Sequence, residues 1–165
     1  MTLRRRFRHF FSTRAALRRL FSPEVLAEIE GTIQQIESEH AGEIRFVVES
    51  SLDPAELRRK LTPRQRALQV FGILGVWDTA ANNGVLIYLL MADRDVEIVA
   101  DRGIAERVRQ EDWESICREM EAHFRAARFR EGSIAGIRRV GRLLGQHFPR
   151  DSNPRNELPN QPVLL

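Results

Sequence analysis

The sequence predicts an α/β fold, a small mixed β-sheet sandwiched between α-helices. Three observations carry that prediction. Apolar residues recur at helical spacing in four separate stretches, and a continuous apolar run over residues 84–91 (GVLIYLLM) reads as a strand buried on both faces. Alternation over residues 43–49 and 95–101 adds two more strands. The element order is helix, strand, helix, strand, strand, helix, helix. A helix between the first two strands makes them parallel with a right-handed crossover, and the tight connection before the third makes it antiparallel.

Each element has local chemistry behind it. Ser22-Pro23-Glu24 starts a helix: the serine caps free amides, proline fits the first turn and the acid favours the positive end. Val25, Leu26, Ile29, Ile33 and Ile36 face inward, and Gly42 ends the segment. Residues 43–49 then read as a half-buried strand, with Ile44, Phe46 and Val48 on its apolar face. Thr62-Pro63-Arg64-Gln65 is a capping box opening a second helix to about Gly75, with Leu68, Phe71, Ile73 and Leu74 inward. Residues 76–83 are a polar connection. Asp93-Arg94 is expected as a two-residue hairpin loop, which places Ala92 opposite Asp95 and Leu86 opposite Asp101. Trp113, Ile116, Cys117, Met120 and Phe124 keep helical spacing behind Glu111 and Asp112, and a last helix spans about residues 131–147. Its glycines, Gly132, Gly136, Gly141 and Gly145, permit close approach of a neighbour at a cost in helix stability. Residues 149–165, rich in proline and asparagine, read as an extended tail.

Charge is segregated. The chain of 165 residues has a formal net charge of +3, yet residues 1–21 carry seven arginines and no acid, leaving 19 basic and 23 acidic groups, or −4, in the rest. A mildly acidic body is not expected to bind nucleic acid. All but one of the 26 basic residues are arginine, Lys60 being the exception, which reflects coding bias more than a contact preference. Residues 1–21 are expected to form one basic amphipathic helix, with Leu3, Phe7, Phe10, Leu17 and Phe21 near one stripe and Phe11 and Leu20 beside it. Three roles are open to it: packing its stripe on the domain, resting on an anionic membrane surface or a protein partner through Arg4, Arg5, Arg6, Phe7, Arg8, Phe10, Phe11, Arg18 and Arg19, or organelle targeting. It lacks the apolar core of a secretory signal, so a cytoplasmic protein, peripheral at the inner membrane, is expected. The longest apolar run is eight residues, too short to span a bilayer. The domain division is therefore 1–21, 22–148 and 149–165.

Candidate chemistry gathers at one predicted sheet edge. Asn82 and Asn83 enter the second strand where Asp101 and Arg102 leave the third, with Asp78 in the connection feeding that edge and Glu106 following it. Oxygen donors from Asp78, Asn82, Asn83, Asp101 and Glu106 suit a hard cation, Ca²⁺ or Mg²⁺, and Arg102 suits a phosphate. The ordinary reading of the same residues is turns and helix caps. Cys117 lies on an apolar stripe, and His9, His40, His123 and His147 make no ligand spacing with it, so zinc is not expected. No glycine-rich phosphate loop or nucleophile elbow is present, and neither nucleotide nor haem is expected.

The residues His40-Ala41-Gly42-Glu43-Ile44, Asn83-Gly84-Val85-Leu86-Ile87, Asp93-Arg94-Asp95-Val96-Glu97-Ile98, Gly103-Ile104 and the run Phe124, Phe129, Gly132, Gly136-Ile137 give residues 42–148 a resemblance to the TPM domain. This is the family of the plant thylakoid-lumen phosphatase and many small bacterial proteins. Trp77-Asp78-Thr79 and Asn156-Glu157-Leu158-Pro159 resemble a short bacterial branch of it. The resemblance implies an α/β sandwich and, for some members, divalent-metal binding with acid phosphatase activity. Typical members carry an export signal and a Gly-aromatic-Gly element where this chain has Asp101-Arg102-Gly103. Two functions follow from different classes: a binding or accessory module, placed slightly ahead, and a metal-dependent acid phosphatase-like enzyme acting on phosphomonoesters.

Overall fold

The computed structural model describes Arg5, His9, Phe10, residues 12–150 and residues 156–165. In chain order the elements are α1 (Arg14–Leu20), α2 (Pro23–Glu37), β1 (Glu43–Glu49), α3 (Pro54–Arg58), α4 (Pro63–Ile73), β2 (Gly84–Leu90), β3 (Asp95–Ala100), α5 (Arg102–Ala105), α6 (Gln110–Arg125), α7 (Phe129–His147) and β4 (Val163–Leu164). The sheet runs β3-β2-β1-β4, with β1 parallel to both β2 and β4 and β2 antiparallel to β3. The parallel pairing of β1 with β2 and the antiparallel pairing of β2 with β3 are as the sequence predicts. The fourth strand comes from the tail, whose residues 156–165 dock along β1.

Strand alternation divides the core in two. Ile44, Phe46 and Val48 of β1, Val85, Ile87 and Leu89 of β2 and Val96 and Ile98 of β3 face α2, α6 and α7. Val47, Leu86, Tyr88, Leu90 and Val99 face the other way, against Ala67 and Val70 of α4 and Leu158 of the tail. All seven residues of β1 are therefore buried, where the sequence predicts a half-buried strand. Its second face holds Glu43, Arg45 and Glu49, all buried. Buried charge needs partners, and those partners organise this side of the protein. Glu43 accepts from the Leu158 N–H at 3.2 Å. Arg45 donates to the Pro159 carbonyl and, at 3.1 Å, to that of Gln161. Glu49 receives both ends of the Arg66 guanidinium at 2.8 and 2.9 Å, together with the Tyr88 hydroxyl.

Reach from α4 explains a further departure. Arg66 must meet Glu49, and Arg64 donates to the Ile98 carbonyl at 2.5 Å. Those two contacts rotate the helix so that Ala67 and Val70 are buried, leaving Leu68 and Ile73, expected inward, exposed. The hairpin differs as well. Met91 and Ala92 donate to the Glu49 and Ser50 carbonyls, so they follow β1 and cannot pair with β3. The loop becomes four residues, 91–94, and Leu86 sits opposite Val99 where Asp101 was expected. A shift of two residues keeps every side chain on its predicted face.

The amino-terminal segment is not one helix. Thr13 takes extended geometry and caps α1 by accepting from the Ala16 N–H at 3.2 Å, breaking the helical path that Arg5, His9 and Phe10 occupy. Leu17 and Phe21 enter the main core, Phe21 packing on Phe46 and Phe129. Phe10 is 81% exposed, and Arg18 and Arg19 are exposed on α1. Arg5 and His9 anchor the earlier stretch to the hairpin loop through the Asp93 carboxylate at 2.8 and 3.2 Å. Burial pushes the Asp93 carboxyl up, but the hydrogen bonds from His9 and Arg5 outweigh it and hold it low. Arg4, Arg6, Phe7, Arg8 and Phe11 lie outside the described residues. The short helices α3 and α5 complete the chain; α3 opens with a full capping box built by Asp53 and Glu56.

Where α2 ends, Glu37 accepts from the Ile44 N–H and the Asn160 side chain, both at 2.7 Å, and so joins α2, β1 and the tail. Burial pushes its carboxyl up to about 8 from 4.5. Between those values the folded chain holds a proton that the unfolded chain has released, so stability falls as pH rises across that window. Denaturant midpoints measured from pH 5 to 8 should therefore decline, by at most ~1.4 kcal/mol per pH unit from this one group. The Glu37→Gln variant, which keeps the acceptor oxygen and cannot ionise, should have a shallower slope.

Candidate functional site

The rim predicted from sequence exists. The amino ends of β1 and β2 and the carboxyl end of β3 share one edge of the sheet, because β1 and β2 are parallel and β3 runs against them. Asp101 stands at the exit of β3, its N–H donating to the Gly84 carbonyl at 2.9 Å. The carboxylate then turns back as the cap of α5, Oδ1 accepting from the Arg102 N–H at 2.7 Å. Gly103 is required by the crossing of chains: a Cβ there would lie 2.6 Å from the Asn82 carbonyl oxygen. Asn82 itself adopts φ +51°, a left-handed turn geometry that asparagine tolerates.

Asn83 is the hub of the loop. Its N–H donates to the Thr79 hydroxyl at 3.0 Å, its carbonyl accepts from Glu43 at 3.1 Å, and its side-chain amide donates to the Ala41 carbonyl. That last bond fixes which way the amide points, since a carbonyl can only accept. Asn83 Oδ1 is thereby left buried with no hydrogen-bond partner, and so is Asp101 Oδ2. Two orphaned acceptors on one rim call for a donor or a cation.

The remaining expected residues divide. Arg102 Nε donates to Asn82 Oδ1 at 3.1 Å, so four of the predicted residues, Asn82, Asn83, Asp101 and Arg102, belong to one connected rim. Asp78 and Glu106 are exposed on the segments flanking it, and neither side chain bonds to those four. Among the described residues no group of three or more His, Cys, Asp or Glu side chains is placed to hold a metal. The donors here are instead one carboxylate, one side-chain amide and neighbouring backbone carbonyls, a mixture that suits Ca²⁺ more than a transition metal. Sequence reasoning missed Glu157, whose carboxylate accepts from the Ala80 N–H at 2.9 Å and ties the tail to this loop. The Asn156-Glu157-Leu158-Pro159 run was the signal available for it.

Comparison with known proteins now bears on this geometry. The family model described as the TPM domain matches residues 16–143. The chain belongs to the TPM domain family. That match begins inside α1, consistent with Leu17 and Phe21 being part of the domain core. Among solved structures, the BA42 protein from the psychrophilic bacterium Bizionia argentinensis is similar over 87% of this chain and 94% of its own, at 28% identity and a TM-score of 0.77. The N-terminal domain of a P. gingivalis protein shares the fold at 22% identity and a TM-score of 0.62, covering 80% of this chain and 83% of its own. The N-terminal domain of the cg2496 protein from Corynebacterium glutamicum does so at 14% and 0.57, covering 81% and 79%. No curated protein matches the chain.

Two other features of this TPM domain are accounted for by their surroundings. Burial pushes the Cys117 thiol up to about 12, which removes it as a nucleophile at neutral pH. A cleft of about 770 Å³ opens at the carboxyl ends of β1 and β4, but Glu49 at its floor is fully engaged by Arg66 and Tyr88. The rim's dependence on a bare backbone gives a direct check. Gly103→Ala should cost about 1–3 kcal/mol in denaturant unfolding, and the amide shifts it causes should concentrate at residues 79–84 and 101–106.

Proposed function

We propose that the protein is a small TPM-domain binding module whose rim takes a hard divalent cation, Ca²⁺ or Mg²⁺. The supporting observation is the pair of buried, unpartnered oxygens, Asn83 Oδ1 and Asp101 Oδ2, on one edge of the sheet. Those two are the inner donors of the proposal. Asn82, Asp78 and Glu106 would contribute from the periphery through water, as hard cations accept. Leaving both acceptors empty would be costly in a buried setting, and a cation at the rim would answer that cost.

A second reading, phosphomonoester hydrolysis, is favoured by the exposed Arg102, whose guanidinium meets Asn82 Oδ1 on the same rim. A guanidinium there offers a forked contact to a phosphate, and a bound cation would polarise a phosphoryl oxygen. None of the flanking carboxylates, Asp78, Glu106 or Glu157, bonds to the rim residues Asn82, Asn83, Asp101 or Arg102, so binding is placed ahead of turnover. Calorimetric titration separates these. Ca²⁺ or Mg²⁺ should bind the wild type with measurable heat and bind Asp101→Asn at least ~10-fold more weakly. Asparagine keeps the cap on α5, so loss of heat reports the charge and not the fold. Absence of heat in the wild type removes the proposal. Metal-dependent hydrolysis of para-nitrophenyl phosphate that Asp101→Asn abolishes would put the enzyme first.

The proposal extends to the amino-terminal region, where Arg14, Arg18 and Arg19 are exposed on α1 and pair with no acid among the described residues. They would rest on an anionic membrane surface. In liposome flotation the full chain should rise with phosphatidylserine-containing vesicles and not with neutral ones. Replacing Arg14, Arg18 and Arg19 with glutamine should weaken that association; equal flotation would remove this part.

A further inference from the structure

A second polar pocket, of about 310 Å³, lies between α2 and α7, on the helical side of the loop that leads into β1. Its floor includes His40, which is only 2% exposed. The Nδ1 atom of that ring accepts from the Gly42 N–H at 3.1 Å, so Nδ1 carries no proton. In a neutral imidazole the proton must then be on Nε2, which makes Nε2 a donor of fixed identity. Burial, the main influence on this ring, lowers its pKa and keeps it neutral. Nε2 is buried and has no hydrogen-bond partner. An N–H in that position seeks an acceptor.

The walls supply positive charge. Arg138 and Arg142 of α7 are one helical turn apart and both line the pocket. Both are exposed, and neither forms an ion pair or hydrogen bond with any described residue. Other arginines of the same helix are engaged: Arg130 holds Glu28 at 2.6 Å and Arg139 holds Glu119 at 2.5 Å. Glu39 also lines the pocket, one carboxylate against two guanidinium groups, and pairs with neither. The glycines play different parts. Gly141 is required by packing, since a Cβ there would meet Ile36, and the same position lies 3.4 Å from His40 Nε2. Gly145 has nothing within 4 Å of its missing Cβ, so no neighbour demands it, and its bareness leaves that wall of the pocket open.

We infer that this pocket binds a small oxyanion of phosphate chemistry, with His40 Nε2 donating at the floor and Arg138 and Arg142 closing over the remaining oxygens. A phosphate-sized anion brings several acceptor atoms, enough for the lone N–H and both forks together. A single ordered water would satisfy the histidine and leave the two arginines without a role. The inference is independent of the rim: it uses different residues, and it needs no metal.

Residue-resolved NMR tests it on the isotope-labelled full chain at neutral pH, constant ionic strength and no divalent metal. The probes are inorganic phosphate and, separately, glycerol 3-phosphate. The free protein should show the Nε2–H tautomer at His40. Phosphate should then shift that N–H and the side-chain N–H signals of Arg138 and Arg142 saturably, with half-saturation below about 10 mM. The double variant Arg138→Gln, Arg142→Gln, with both sites on the surface, should keep the wild-type amide spectrum and bind at least ~10-fold more weakly. Arg102→Gln should bind at His40 as the wild type does, which separates this pocket from the rim. Response to inorganic phosphate alone assigns a free anion, and response to both probes assigns a phosphate group that can carry a substituent. An Nδ1–H tautomer, a His40 signal indifferent to both probes, a bound-water cross-peak that neither probe displaces, or unchanged affinity in the double variant would each overturn the inference.

Discussion

The structure turns on β1 carrying charge on a face that water does not reach. Glu43, Arg45 and Glu49 alternate with Phe46 and Val48 as they would in a strand with one wet side, yet the sheet places β1 between two neighbours with cover on both faces. Each buried charge must then be answered by hydrogen bonds from elsewhere in the chain. The tail answers Glu43 and Arg45, and α4 answers Glu49 through Arg66. These demands fix the docking of residues 156–165, the rotation of α4 and hence which of its apolar residues meet solvent. They also set the rim, because the N–H of Glu43 itself binds the Asn83 carbonyl and Glu157 reaches the Ala80 N–H.

Such polar organisation specifies more than it stabilises. A buried ion pair recovers in Coulomb and hydrogen-bond energy roughly what it loses in hydration. Its value is in forbidding alternatives. A tail slipped by one residue along β1 would leave Arg45 facing a peptide N–H in place of a carbonyl, and an α4 turned to bury Leu68 would withdraw Arg66 from Glu49. The apolar side of the sheet, where Phe46, Phe124 and Phe129 pack, tolerates more variation because its contacts have no polarity to mismatch.

Much of this was legible from local chemistry. The caps at Ser22 and Thr62, the apolar run of β2 and the stripe from Trp113 to Phe124 each obey a rule spanning a few residues, and each element formed where the rule puts it. What escaped was decided at long range. Met91 and Ala92 look like strand residues, but their amides are claimed by the Glu49 and Ser50 carbonyls at the end of β1, some forty residues earlier in the chain. The charges of β1 look like a solvated face until a segment more than a hundred residues later covers them. At the rim, backbone topology brought Asn83 and Asp101 together as hairpin logic requires, while the side chains of Asp78 and Glu106 are on segments whose course no pairing rule governs. His40 was legible as part of the His40-Ala41-Gly42-Glu43-Ile44 run and as a histidine with no ligand spacing; its tautomer depends on one amide two residues on, which no local rule foretells.

The late position of the docking strand has a consequence for biogenesis. β1, β2 and β3 all precede residues 156–165, so a chain in which that segment has not docked holds a three-stranded sheet whose outer margin shows bare amides and carbonyls beside unanswered glutamate and arginine. That margin is a template for strand addition from another chain until residues 156–165 dock and close it. Truncation just upstream of them would yield a species with nearly the whole hydrophobic interior in place and one sticky border. Its natural fate would be capture by a chaperone or coalescence with its own kind.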